Sequence, residues 1–196
     1  MYTFLLIRLI TVSSLCILLL TSLNTKAQSA GSVDIGLQVE QNYFLKSHHK
    51  GTTLGVLSNL WISKKIALNY SFSLGQDQNG ALLIKTGLGQ ALSVLLSTPA
   101  YRNRGLAFLS LILPEGITVK MIPDNRNVNV FAYFNPLRID NLSTPISLQQ
   151  ELGVRAALNL GDNILVGPSL GVRFPKGKQY WALHGGINIF FSFSSD

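Results

Sequence analysis

Charge, sulfur and long apolar runs are all scarce in this sequence. Only 13% of its 196 residues are charged, against about 25% in an ordinary globular domain, while 47% are hydrophobic. A chain so poor in charge and so rich in apolar side chains is neither disordered nor a coiled coil, because both of those states need a charged, solvated surface. Past the N-terminus, no uninterrupted apolar stretch approaches the roughly 18 residues of a membrane-spanning helix, which excludes a bundle of such helices. The net charge of +7 is spread along the chain, without the basic cluster that marks a nucleic-acid face, so no nucleic-acid partner is expected. The single cysteine is Cys16.

Residues 1–27 read as a secretory signal peptide. Arg8 supplies the positive charge, residues 9–23 are apolar, and Thr25-Lys26-Ala27 places small residues at the minus-three and minus-one positions, predicting cleavage before Gln28. Cys16 lies within the apolar stretch and is followed by Ile17-Leu18-Leu19-Leu20, whereas a lipidated cysteine stands at its end. Cleavage removes the only thiol. Residues 28–196 are then one domain without the means for a disulfide, a thiolate metal site or a cysteine nucleophile.

What the remaining chain has in abundance is a two-residue period. Val33, Ile35, Leu37 and Val39 interleave with Asp34, Gly36, Gln38 and Glu40, which in an extended chain puts apolar and polar side chains on opposite faces. The same split recurs in residues 66–75, 151–159, 164–173 and 181–193. A soluble antiparallel barrel, such as a periplasmic binding barrel, also alternates. Here, however, the polar rows are glycine, serine and alanine with single charges, which fits a narrow interior better than a solvated exterior. The segments run to about 10–14 residues, where globular strands average 5–6 and a tilted membrane strand needs about 9–11. Aromatic residues gather at segment ends: Tyr43, Phe44, Trp61, Phe174, Tyr180, Trp181, Phe190, Phe191 and Phe193. That placement predicts girdles at the two membrane interfaces.

Export, absence of cysteine and apolar-out alternation together resemble the small outer-membrane β-barrel proteins of Gram-negative bacteria. The Thr25-Lys26-Ala27-Gln28 signal end is similar to Bacteroidota export signals. The closing stretch Ile187-Asn188-Ile189-Phe190-Phe191-Ser192-Phe193 is similar to the C-terminal strand signal read by the barrel-assembly machinery, although Ser194-Ser195-Asp196 follow the final aromatic residue. The resemblance implies an all-β fold, a transmembrane antiparallel up-and-down β-barrel of 8 to 10 strands, located in the bacterial outer membrane. It implies outer-membrane lipid and lipopolysaccharide as surroundings, and the assembly machinery as a partner during biogenesis.

Turn-like segments divide the chain into strands near residues 33–45, 51–62, 66–75, 81–90, 106–113, 116–122, 127–135, 147–160, 163–174 and 178–193. An eight-strand alternative makes part of residues 91–113 a helix or plug, because Leu92, Leu95, Leu96, Phe108, Leu109 and Ile112 fit helical spacing as well as strand spacing. An unpaired amide in hydrocarbon costs several kcal/mol, so the first strand must pair with the last. The inward rows hold Asp34, Glu40, Lys85, Lys120, Glu151, Arg155, Arg173 and His184, expected to pair as a lumen charge network because isolated buried charges are far costlier than paired ones.

These features predict a structural, binding or narrow-pore role. The alternatives are a barrel-embedded lipid-modifying enzyme of lipid A deacylase or acyltransferase type, and a soluble periplasmic barrel. Neither His48-His49, in a turn, nor His184, followed by Gly185-Gly186, has a serine at deacylase spacing, so no catalytic residue is assigned. The His48-His49 pair lacks a second ligand cluster, and Gly87-Leu88-Gly89 lacks the glycine and lysine of a phosphate loop, so neither a metal nor a cofactor is expected.

Overall fold

The computed structural model describes residues 30–45, 48, 50–98, 104–122, 128–140, 147–160, 163–175 and 181–193; the expected signal segment lies outside them. Nine strand segments occupy these residues: β1 (Val33–Phe44), β2 (Lys50–Trp61), β3 (Ile66–Asp77), β4 (Leu82–Gly87), β5 (Gly116–Lys120), β6 (Val128–Asp140), β7 (Ser147–Asn159), β8 (Ile164–Pro175) and β9 (Ala182–Phe193). Two helices, α1 (Leu88–Leu96) and α2 (Arg104–Leu111), stand between β4 and β5. Each strand pairs antiparallel with its neighbours, and β1 closes on β9 over the full run from Val33↔Phe193 to Phe44↔Ala182. The sheet therefore has no edge, as a lipid-embedded sheet requires.

Nine segments fill only eight places around the wall, because β4 and β5 both lie between β3 and β6. They are two halves of one interrupted strand. Phe72 pairs with Thr86 and Asn69 with Gly116, so the two intervening residues of β3 face Gly87 and Glu115 with no slip in register. The Glu115 amide continues the ladder by donating to the Asn69 carbonyl at 2.8 Å. The chain thus leaves the wall at mid-strand after Gly87 and rejoins it at the point of departure at Glu115, with the described residues 88–98 and 104–114 lying off the wall. This corrects the ten-strand division of the sequence, in which 106–113 was a strand: those residues belong to α2 and its C-terminal turn.

The helical hairpin is no plug. Tyr70, on the outward row of β3, donates its phenol proton to the Ile112 carbonyl at 3.0 Å, which places the hairpin against the outside of the wall.

Outward rows are apolar and exposed, as at Leu170 (63%) and Ile187 (60%), while inward rows are buried and mostly polar. A soluble barrel has the reverse arrangement. The aromatic positions divide. Phe174 and the exposed Trp181 meet edge to face, with centroids 4.6 Å apart, outside the loop end, and Phe191 is outward near the termini. Trp61 and Phe190 instead point inward and are 1% and 2% exposed, so they belong to the interior and not to a girdle. Tyr180 lies outside the described residues.

Candidate functional site

The lumen has two layers. Toward the chain termini, Leu57, Trp61, Ala67, Phe131, Ala157, Leu165 and Phe190 pack as a buried apolar cluster inside the barrel. Toward the loop end lies a cluster of charge, and its members come from six of the eight wall positions.

Glu40 on β1 is its hub. Its carboxylate accepts from Lys85 on β4 and from Arg173 on β8. Asn42, one inward step along β1, accepts from the same two cations, at 2.6 Å from Lys85 Nζ and 2.5 Å from Arg173 Nη1. Glu151 on β7 forms a second centre: Arg138 on β6 donates to it, and Arg173 Nε stands 3.6 Å away. His184 on β9 bridges the two centres, its Nε2 lying 3.0 Å from Glu151 and its Nδ1 lying 3.6 Å from Glu40. Glu115 completes the group, 3.2 Å from Arg138 and accepting from Ser71 Oγ at 2.6 Å. Three acidic side chains, Glu40, Glu115 and Glu151, thus face three basic ones, Lys85, Arg138 and Arg173, all 2% exposed or less. Charge balance of this kind is what lets ionised groups persist away from water.

The other inward charges sit elsewhere. Arg155 lies at the boundary of the two layers, its guanidinium 5.2 Å from the Tyr133 ring centroid and 4.8 Å from that of Phe190, a stacking mode that suits arginine in partly apolar surroundings. Asp34 is at the terminal end, where it accepts from Trp61 Nε1 at 2.7 Å and from Ser192 Oγ at 2.6 Å. Lys120 ends β5, also near the termini and apart from the Glu40 centre. Above it on the wall, Asn69 donates to Asn135 at 2.9 Å and accepts from Thr118 at 2.7 Å.

Sequence alternation missed Arg138 and Glu115. Between Asn135 and Arg138 the β6 ladder shifts by one residue against β7, so the inward row resumes three residues on instead of two. Pro136, which cannot donate to a ladder, is the sequence signal of that bulge. Glu115 reads as part of a Pro-Glu-Gly break until the halves of the interrupted strand are joined.

Glu40, Glu151 and His184 bring ligand-type atoms within 4.8 Å of one another. The donor set nonetheless fits a metal poorly, because Lys85, Arg138 and Arg173 already bond those carboxylates and would repel a cation. His48 is exposed at the loop end and hydrogen-bonds the Tyr43 phenol at 2.8 Å; His49 lies outside the described residues. The geometry is therefore that of an ion-paired bung, with its ionic groups held to each other.

An edgeless wall, an apolar exterior and a filled polar interior define a transmembrane β-barrel of outer-membrane type. No family model matches the chain, and no curated protein sequence matches it. Among solved structures, the N-terminal β-barrel domain of Pseudomonas aeruginosa OprF is similar with a TM-score of 0.51 at 11% identity, covering 84% of this chain and all of that domain. Ail, the attachment invasion locus protein of Yersinia pestis, is similar with a TM-score of 0.47 at 8% identity, covering 83% of this chain and 97% of that one. A de novo designed transmembrane β-barrel gives a TM-score of 0.47 at 11% identity, covering 84% of this chain and 98% of the design. The OprF domain is the match that supports the fold.

Proposed function

We propose that this chain is a bacterial outer-membrane protein with a structural or binding role, whose lumen is shut to solutes and whose working surfaces are its exterior and loops. The observation that carries the proposal is the filled lumen: the apolar layer around Trp61 and Phe190 lies beneath the ion pairs of Glu40 and Glu151. Barrels of about eight strands leave an interior just wide enough for side chains to fill. Surrounding lipid and lipopolysaccharide would meet the outward rows, and β9, with its aromatic outer positions, would be the strand delivered to the assembly machinery. The Thr25-Lys26-Ala27-Gln28 segment supports a precursor of Bacteroidota type.

Among the described residues, the buried charges are arranged for ion pairing with one another. His184, the buried histidine, is engaged by two carboxylates inside the wall and does not stand at the lipid face where an acyl chain would be presented.

Planar-bilayer recording of the refolded protein tests the proposal. A silent membrane at moderate voltage is expected, while a variant in which Glu40, Arg173 and Phe190 are all replaced by alanine should pass current. Steady unitary conductance in the unaltered protein would overturn the closed-lumen reading.

A further inference from the structure

We propose that the α1–α2 hairpin is an intramembrane element, a pair of short helices bathed in lipid acyl chains on the outside of the barrel. The inference rests on the proposed membrane location of the wall and goes beyond it, because a 27-residue excursion from a strand could equally dock on a soluble partner or a second copy.

Four features point to acyl chains as the occupant. First, the hairpin is apolar on the outside and small on the inside. Phe108 is 65% exposed, and Leu106, Leu109, Leu111 and Ile112 are also exposed, whereas Gly89, Ser93, Ala107 and Ser110 are buried. Helices pack through small residues when lipid, not water, surrounds them, because hydrocarbon provides no hydrophobic drive for large side chains to turn inward. The seam is tight enough that a Cβ at Gly89 would meet the Leu113 carbonyl oxygen at 2.7 Å.

Second, hydroxyls of the hairpin are satisfied by its own backbone. Ser97 Oγ donates to the Ser93 carbonyl at 2.7 Å, Thr98 Oγ1 to the Leu95 carbonyl at 2.7 Å, and Ser110 Oγ to the Ala107 carbonyl at 2.9 Å. Back-bonding of this kind satisfies polar side chains without solvent. Third, apart from Arg104 at the start of α2, the described residues 88–98 and 104–114 contain no charged residue, and neither helix has an acidic first turn or a basic last turn, as a water-facing helix favours. Fourth, the hairpin is rooted at mid-strand on the outward face, continuous with the exposed apolar rows. The 9 residues of α1 extend about 13 Å at 1.5 Å per residue, so the hairpin fits within one half of a core roughly 30 Å thick.

Helices are the one way to leave a barrel wall inside a membrane, since they satisfy their own backbone groups. The Tyr70 phenol, by donating to the Ile112 carbonyl, occupies one of the acceptors left over at the C-terminal end of α2.

Quenching by brominated acyl chains tests the inference in the full barrel reconstituted in vesicles of brominated phosphatidylcholine. The parent carries Trp181→Phe, leaving Trp61 as its native fluorophore. Phe108→Trp reports the hairpin and Val154→Trp, on the outward row of β7, reports the wall. The expected result is strong quenching of both, the hairpin losing at least half the fraction lost at the wall, with little effect of aqueous iodide on either. Quenching at Val154→Trp alone, with iodide reaching Phe108→Trp, would put the hairpin in water and overturn the inference while leaving the barrel standing. Shielding of Phe108→Trp from both quenchers would show a protein occupant and overturn it equally. Loss of lipid quenching at both positions would refute the membrane reading itself.

Discussion

Replacing Glu40 with glutamine should be the most damaging isosteric change in the interior. The substitution keeps size and hydrogen-bonding capacity but removes the carboxylate shared by Lys85 and Arg173, both of which are 0% exposed. Three buried cations would then face the two carboxylates of Glu115 and Glu151. Breaking a buried pair by removing one partner costs about 3–5 kcal/mol, because the remaining charge is left uncompensated in a poorly polarisable setting. Adding Lys85→Met to Glu40→Gln restores the balance, so the double variant should be more stable than the sum of the two single losses. A coupling energy of roughly 0.5–3 kcal/mol is expected for residues in one network. Urea unfolding of the refolded barrel in detergent micelles, followed by fluorescence and by gel migration without boiling, measures all four corners of the cycle. A Glu40→Gln variant as stable as the parent, or strictly additive losses, would refute the reasoning that these ion pairs are mutually compensating.

Two further outcomes follow from the outside of the barrel. Leu170→Arg, at the exposed middle of β8, should cost about 2–4 kcal/mol in lipid; in a soluble barrel it would be near neutral, and urea titration in vesicles distinguishes the two. Gly89→Val should force α1 and α2 apart and cost about 1–3 kcal/mol, the range for overpacking a filled interface. Heat-modifiable migration should survive in that variant because the wall register does not pass through the hairpin, and an unchanged unfolding midpoint would show that the two helices do not pack.

The barrel wall was legible wherever inside and outside differ in polarity. In β1, β3, β7, β8 and β9, a strict period of two, together with the need to close the sheet, is enough to place strands and faces. It fails at three places for physical reasons. Residues 88–98 and 105–113 are mostly apolar and carry no charge, so no polar row sets a period of two there. Trp61 and Phe190 fill the lumen with aromatic bulk, and an aromatic residue at a strand end reads equally well as a girdle. Arg138 follows the Pro136 bulge, where a one-residue shift reverses every later side chain. Of the interior charges, Glu40, Lys85, Glu151, Arg173 and His184 come together in space; Asp34, Lys120 and Arg155 share their inward direction but lie lower along the axis, a separation that alternation alone does not carry.

Nitroxide side chains placed one at a time along β1 and β9 of the barrel, which has no cysteine after Cys16, give the most direct measurement of which face meets lipid. Collision rates with oxygen, which concentrates in hydrocarbon, should rise at Leu37, Val39, Ile187 and Ile189 and fall at Gln38, Gly186 and Asn188, with a water-soluble nickel chelate excluded from the first group. The opposite phase, in which the nickel chelate reaches Leu37 and Ile187 while oxygen does not, would mean that these apolar rows face water and that the chain is not a membrane barrel.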